Sequence, residues 1–390
     1  MIDLEQLRAD TPATQTQAFL NSAGASLMPR PVVRALHDYI DLEAAIGGYA
    51  AQAEQAEALE GVYDSVARLI GAHPQEIALF HSATVAWQMA FYSMPLKAGD
   101  VVLCAQTEYG ANYVALMQMR ERIGIRIEVV PSCVDSGEID LQALARMMTA
   151  EVKLVVLTWV PTNGGLINPA QEVGRIARAH GIPYLLDACQ AVGQMPVDVR
   201  ALGCDMMCAT GRKFLRAPRG TGFLFVRRDF MDTLVPHTID HYSALWTSAQ
   251  GYTLRDDARR YETWEFNCAD RRGLGVAVDY ALSVGLDNIE ARCRELAAYL
   301  RRGLADIAGV TVHDLGIQRC AIVTFTVQGH DATALVAQAA RQRIAMGVSV
   351  AASTLMDATQ RELPDLLRAS PHYFNTQDEL DALLAFVRAV

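Results

Sequence analysis

The sequence predicts an α/β protein, with a large domain built on a mostly parallel sheet and a smaller α+β domain after it. Two observations predict it. From about residue 77 to 226, short β-rich runs alternate with longer amphipathic stretches, the mark of βαβ units. After about residue 268 the chain turns to long Ala/Leu/Arg-rich helical patterns with isolated strands. A third observation joins the halves: no Pro/Ser-rich linker or internal repeat separates them, so an extensive shared interface is expected.

The elements follow in order. Residues 1–20 read as an N-terminal arm, 21–267 as the large domain and 268–390 as the small one. A helical pattern over about 30–63, broken near Gly47-Gly48, is expected to pack with one domain or to bridge two copies of the chain. Strands are expected at 101–104, 125–130, 154–159, 184–186 and 222–226. A helix over 168–180 is punctuated by Pro169 in its first turn and Gly181 past its end. In the second half, helices are expected at 271–285 and 288–307, from Ala332 and from Gln377, with a strand at 321–327.

Charge and cysteine usage narrow the function. With 34 Lys+Arg against 44 Asp+Glu the net charge is −10, which argues against a sequence-independent grip on nucleic acid or an anionic membrane. The N-terminus shows no basic and then apolar leader, and no run of about 18 apolar residues occurs, so a cytoplasmic protein is expected. Eight cysteines are scattered with no C-x-x-C pair and no zinc spacing; reduced, buried thiols are expected and no metal site.

Only three of the basic residues are lysine: Lys97, Lys153 and Lys213. Lys97 lies in a turn-like stretch and Lys153 at the start of a strand, where a solvated charge is the simple reading. Lys213 sits in Thr210-Gly211-Arg212-Lys213, after a buried strand. There it reads either as a solvated loop lysine or as an amine able to bond a phosphorylated carbonyl while its neighbours hold the phosphate. The surroundings favour the second. The strand at 184–186 ends in Asp187, followed by Ala188-Cys189-Gln190, and a carboxylate at the carboxyl end of a buried parallel strand needs a cation in the crevice. A protonated pyridine nitrogen, as in pyridoxal phosphate, is such a partner. Upstream, Ser82-Ala83-Thr84 opens a helix after a strand; it is at least an N-cap, and its free N–H groups also suit an anion.

Together, Asp187-x-x-Gln190, Thr210-Gly211-Arg212-Lys213, Ser82-Ala83-Thr84 and Arg368-Ala369-Ser370 resemble the class V aminotransferases of the fold type I pyridoxal-phosphate enzymes. The resemblance runs in order from Asn21-Ser22-Ala23-Gly24 to Tyr373-Phe374-Asn375-Thr376. It implies a seven-stranded-type sheet, pyridoxal 5'-phosphate as cofactor, a small-molecule amino-acid substrate and a homodimer. It also implies that Lys213 bonds the cofactor and shuttles a proton, and that Asp187 pairs with the ring nitrogen. Gln190 and Thr162 would lie at the ring hydroxyl, Tyr109 would stack on the ring, and Ala83, Thr84, Thr210 and Arg212 would hold the phosphate. Arg368 would bind the substrate carboxylate, with Asn112, Gly24 and Ala25 nearby.

Two departures shape the expected reaction. Cysteine desulfurases of this family carry a loop cysteine upstream of the carboxylate-binding arginine, whereas the matching stretch here is Ser349-Val350-Ala351-Ala352-Ser353-Thr354-Leu355-Met356. In Tyr261-Glu262-Thr263-Trp264-Glu265, Glu265 stands where relatives reach the partner subunit's phosphate with Thr or Ser. The reading that follows is a lyase cleaving the C–S bond of a cysteine S-conjugate or its sulfoxide, with an aminotransferase or epimerase as alternative and a desulfurase ranked below both.

Overall fold

The computed structural model describes residues 2–390. Seven strands form its central sheet: β1 (Ile77–Phe80), β2 (Val101–Ala105), β3 (Arg126–Val130), β4 (Val152–Thr158), β5 (Tyr184–Asp187), β6 (Met206–Thr210) and β7 (Gly222–Val226). Their spatial order is β1-β7-β6-β5-β4-β2-β3. Strands β2 to β6 are mutually parallel, and β7 runs antiparallel between β1 and β6. Helices cover both faces, which is why β5, β6 and β7 are apolar without alternation. Phe223 and Phe225 on β7 are fully buried, each contributing about 1.5–3 kcal/mol by leaving water.

The opening helical pattern forms three pieces. Helix α1 (Arg30–Ile46) stops at Gly47 with φ 87°, a short helix spans Gly48–Glu54, and α2 (Ala56–Ile70) extends past the expected end. Two more helices matter below: α3 (Ala83–Tyr92), which follows β1, and α4 (Gly110–Ile123), which follows β2. A hairpin of β8 (Ala244–Ser248) and β9 (Gly251–Leu254) was not expected from the sequence. Apart from the buried Ala244 its residues are exposed or half-buried, so no alternation of apolar and polar positions announces it.

The second half begins with α5 (Cys268–Val284), which packs along α1 and α2, and α6 (Leu286–Ala305). A four-stranded antiparallel sheet follows, made of β10 (Val310–Val312), β11 (Val323–Val327), β12 (Gly347–Ser349) and β13 (Leu366–Ala369) in the order β10-β11-β13-β12. The expected strand at 321–327 thus starts two residues later. The first residues of the chain are tied to this half: Ala18–Phe19 pair with Ile344–Ala345, Asn21 bridges Ser370, and Arg8 Nη1 lies 2.7 Å from Glu379 Oε1.

Register positions the site. Thr158 at the end of β4 lies opposite Asp187, and Asp187 opposite Cys208 on β6. The carboxyl ends of three parallel strands therefore open into one crevice, the place where open α/β sheets bind ligands.

Candidate active site

All nine residues expected around a cofactor line one chamber at these strand ends: Ala83, Thr84, Tyr109, Thr162, Asp187, Gln190, Thr210, Arg212 and Lys213. Thr158, Val160 and Cys189 line it as well and had not been assigned a role. Cys189, expected to be one of the buried thiols, is half-buried, and its thiol lies within 4.8 Å of the Asp187 carboxylate and the Cys208 sulfur.

Asp187 is buried at the tip of β5. Its Oδ1 accepts from the Cys189 amide at 2.9 Å, and its Oδ2 accepts from Asn112 Nδ2 at 2.9 Å. Among the described residues it makes no ion pair, and its buried carboxylate faces the chamber.

Lys213 follows the end of β6 on a turn fixed from behind. The Arg216 amide donates to the Lys213 carbonyl at 3.0 Å. The buried Arg216 guanidinium, on a residue with φ 62°, donates to Leu27 O at 2.7 Å, Tyr373 OH at 2.7 Å and Thr11 Oγ1 at 2.6 Å. His372 Nε2 meets the Phe214 carbonyl at 2.7 Å. The lysine turn is thereby pinned to the segment that follows β13. Among the described residues the Lys213 amine makes no hydrogen bond. Desolvation lowers its pKa from the usual lysine value; Cys189 and Asp187 oppose that shift, and Arg212 and Arg368 add to it.

An anion cradle stands across the chamber. Ser82 caps α3, its Oγ accepting from the Val85 amide at 3.2 Å, and the first N–H groups of the helix point into the chamber beside Thr84 and Thr210. Gly222 lets the helix come this close, since a Cβ there would meet Ala83 N at 2.8 Å. Arg212 flanks the cradle while donating to the Gly24 carbonyl.

Arg368 of β13 stands behind the lining residue Thr162 and does not itself line the chamber. It is buried, donates through Nη1 to Thr162 Oγ1 at 2.5 Å, and its Nε has no partner. Burial, with Arg212 adding to it, lowers the guanidinium to about 10. A buried cation without a carboxylate is ready to receive one.

The three other residues expected on the substrate side, Asn112, Gly24 and Ala25, lie behind the chamber lining. Asn112 does not open on the chamber: its amide nitrogen lies 2.9 Å from both Glu108 Oε1 and Asp187 Oδ2, so both N–H groups are committed to carboxylates. Gly24 reaches the site only through its carbonyl, which holds Arg212, and the Ala25 amide is used by Asn21 O. Neither lines the chamber.

Two remote segments pack outside the chamber, against elements that carry its lining residues, without lining it themselves. Residues 351–354 sit against the start of α4, where a Cβ on Gly110 would meet Ala352 O at 2.9 Å. Glu262 anchors the second segment, accepting from Leu79 N at 2.9 Å and Tyr63 OH at 2.9 Å and pairing with Arg271 at 3.0 Å. Glu265 beyond it is exposed. Cys320 is buried.

The chamber has the complement of pyridoxal phosphate: a buried carboxylate for the ring nitrogen, helix N–H groups for the phosphate and an amine of lowered pKa. The buried Gln190 Oε1, which has no partner, suits the ring hydroxyl.

Comparison with known proteins agrees on the cofactor and corrects the reaction. The family model described as "Aminotransferase class-V" matches residues 18–383. A "Probable cysteine desulfurase" of Xylella fastidiosa (strain 9a5c) is 30% identical, covering 98% of this chain and 94% of that protein. A "Probable cysteine desulfurase" of Methanothermobacter thermautotrophicus is 28% identical, covering 97% and 96%. Among solved structures, the apo cysteine desulfurase from Thermococcus onnurineus NA1 superposes with a TM-score of 0.93 at 25% identity, covering 100% of this chain and 98% of that one. These relatives overturn the expectation of a lyase for S-conjugates or sulfoxides, with an aminotransferase or epimerase behind it and a desulfurase last. The absence of a cysteine from residues 349–356 does not separate the chain from these relatives, which match it along nearly its whole length. With its fold, its chamber and its relatives in agreement, the chain belongs to the class V aminotransferase family and is a pyridoxal-phosphate-dependent enzyme acting on an amino acid.

Proposed function

We propose that the chain is a cysteine desulfurase, taking the sulfur of cysteine and leaving alanine. The observation that carries this reading is 30% identity to a probable cysteine desulfurase along nearly the full length of both chains. In this reading Lys213 holds pyridoxal phosphate, Asp187 its ring nitrogen, Gln190 and Thr162 its hydroxyl, and Tyr109 its ring face. Ala83, Thr84, Thr210 and Arg212 hold the phosphate.

When bound, the cofactor supplies an electron sink for the electrons of the Cα–H bond. Arg368 holds the cysteine carboxylate through its guanidinium fork. Lys213, its pKa lowered by burial, is neutral at a lower pH than a solvated lysine, so its amine can take the Cα proton. The sulfur must pass to a thiolate, with formation of an S–S bond and cleavage of the C–S bond, and the carbon then gains a proton. Segment 351–354 offers no thiol, and Cys189 sits at the floor beside Asp187. A soluble thiol is therefore the acceptor in this reading.

The same reading makes the protein a cytoplasmic homodimer. Support comes from eight unpaired cysteines and from the exposed aromatic and aliphatic side chains of Tyr49, Leu245, Trp246, Tyr252 and Trp264. No helix among the described residues is long and apolar enough to cross a membrane.

The test is incubation of the holoenzyme with L-cysteine and excess small thiol. Alanine is expected in an amount equal to the sulfur released, which the excess thiol frees from the persulfide as sulfide while forming the disulfide. Pyruvate and ammonia, or no turnover of cysteine, would overturn the reading.

A further inference from the structure

Glu108 is a buried carboxylate that none of the roles above uses. It closes the turn between β2 and α4 and is 2% exposed. Its Oε1 accepts from Thr158 Oγ1 at 2.6 Å, from Asn112 Nδ2 at 2.9 Å and from the Tyr109 amide at 3.1 Å; its Oε2 accepts from the Thr158 amide at 3.1 Å. Four donors from three elements offset much of the cost of burying the charge. Desolvation still raises its pKa to about 7, with Asp187 adding to the rise and Thr158, Asn112 and Tyr109 opposing it.

A brace between a turn and a strand needs no more than the Thr158 and Tyr109 contacts. The Asn112 contact goes further. Its amide nitrogen carries two hydrogens and lies 2.9 Å from Glu108 Oε1 and 2.9 Å from Asp187 Oδ2. One NH2 group therefore spans two carboxylates, and the rotamer of Asn112 is set by Glu108 before it sets that of Asp187. The Cys189 amide on Oδ1 completes the hold on Asp187.

We propose that Glu108 is a positioning residue for the cofactor: through Asn112 it fixes the orientation in which Asp187 presents its carboxylate to the ring nitrogen. The role depends on the cofactor site alone and is independent of the desulfurase reading and of the sulfur acceptor. Glu108 does not line the chamber.

The experiment compares Glu108→Ala, Glu108→Gln, Asn112→Ala and the double Glu108→Ala/Asn112→Ala variant, each prepared as holoenzyme. Three quantities are read: the pyridoxal phosphate retained on dialysis, the circular dichroism of the bound chromophore, and the unfolding temperature of the cofactor-stripped protein. Each alanine variant is expected to weaken cofactor retention by about tenfold, the worth of one hydrogen bond to a charged group, and to reduce the dichroism. The double variant is expected to be no worse than the weaker single, because the two residues act in series. Glu108→Gln keeps an acceptor for Asn112 and should recover most of the loss. A brace alone would lower the unfolding temperature of the stripped protein and leave retention and dichroism at the parent level; that result overturns the role. So would multiplicative losses in the double variant, or a Glu108→Gln protein as poor as Glu108→Ala. If Glu108→Ala yields no folded protein, Asn112→Ala decides, and parent-level retention in it overturns the role.

Discussion

The floor of the chamber and the segments packed outside it are built differently. The floor is made of strand ends and the turns that leave them: Asp187 closes β5, Thr210 closes β6, Lys213 follows three residues later, and Ser82 caps α3 directly after β1. The outer segments, 351–354 and 261–267, come from far away in sequence and are brought in by contacts to α4 and by the buried Glu262 cluster. Each residue of the floor sits in a short string of chain, whereas no local string brings the outer segments to their places. The cofactor was therefore readable from one sequence; the reaction was not.

Substitutions should separate the two regions, beginning with the floor. Lys213→Ala removes the one amine in the chamber; alanine formation should fall by about a thousandfold or more, and the bound chromophore should be lost on dialysis. Arg368→Ala deletes a buried guanidinium that stands behind the chamber lining. A fall of about a hundredfold in kcat/KM for cysteine, carried mainly by KM, is expected from losing a charge-assisted contact to the carboxylate, with the chromophore retained.

A third test concerns the tie between the lysine turn and the second half of the chain. His372 is fully buried, its Nε2 on Phe214 O and its Nδ1 accepting from the Tyr373 amide at 3.0 Å, so it is held neutral. Burial, with Arg216 adding to it, lowers it to about 3. The sign follows: between about pH 6.5 and 3 the unfolded chain binds a proton at this residue and the folded chain does not. Stability is fully present above that window and is lost as pH falls through it. Acid unfolding followed by circular dichroism should show this slope, and His372→Gln should flatten it relative to the parent.

The smallest effects belong to the outer surface. Trp246→Ala in the exposed hairpin should change the unfolding free energy by no more than about 0.5 kcal/mol while weakening self-association, which sedimentation at falling concentration would read. Lys97→Ala should be silent in every assay.

Much of the fold was legible because its signals are local. Strand 222–226 and the helices from Ala332 and from Gln377 fall where they were expected, and the break at Gly47 follows from a backbone that turns to positive φ. The nine chamber residues were legible for the same reason. Asn112 was placed with the substrate, since its motif says that it is near the site but not which way it faces. Its direction depends on the pairing of β4 with β5, which puts Thr158 beside Asp187 and draws Glu108 behind both. The Arg216 and His372 ties join residues more than 150 positions apart in sequence, and no spacing rule reaches that far.

The central claim is that this chamber takes the sulfur from cysteine and keeps the carbon skeleton as an amino acid. The direct measurement is proton and carbon nuclear magnetic resonance of the holoenzyme turning over uniformly carbon-13-labelled L-cysteine in deuterium oxide with excess thiol. The account predicts labelled alanine carrying a deuterium on Cβ, the carbon that lost the sulfur, formed as cysteine disappears. Labelled pyruvate accumulating in its place would contradict it.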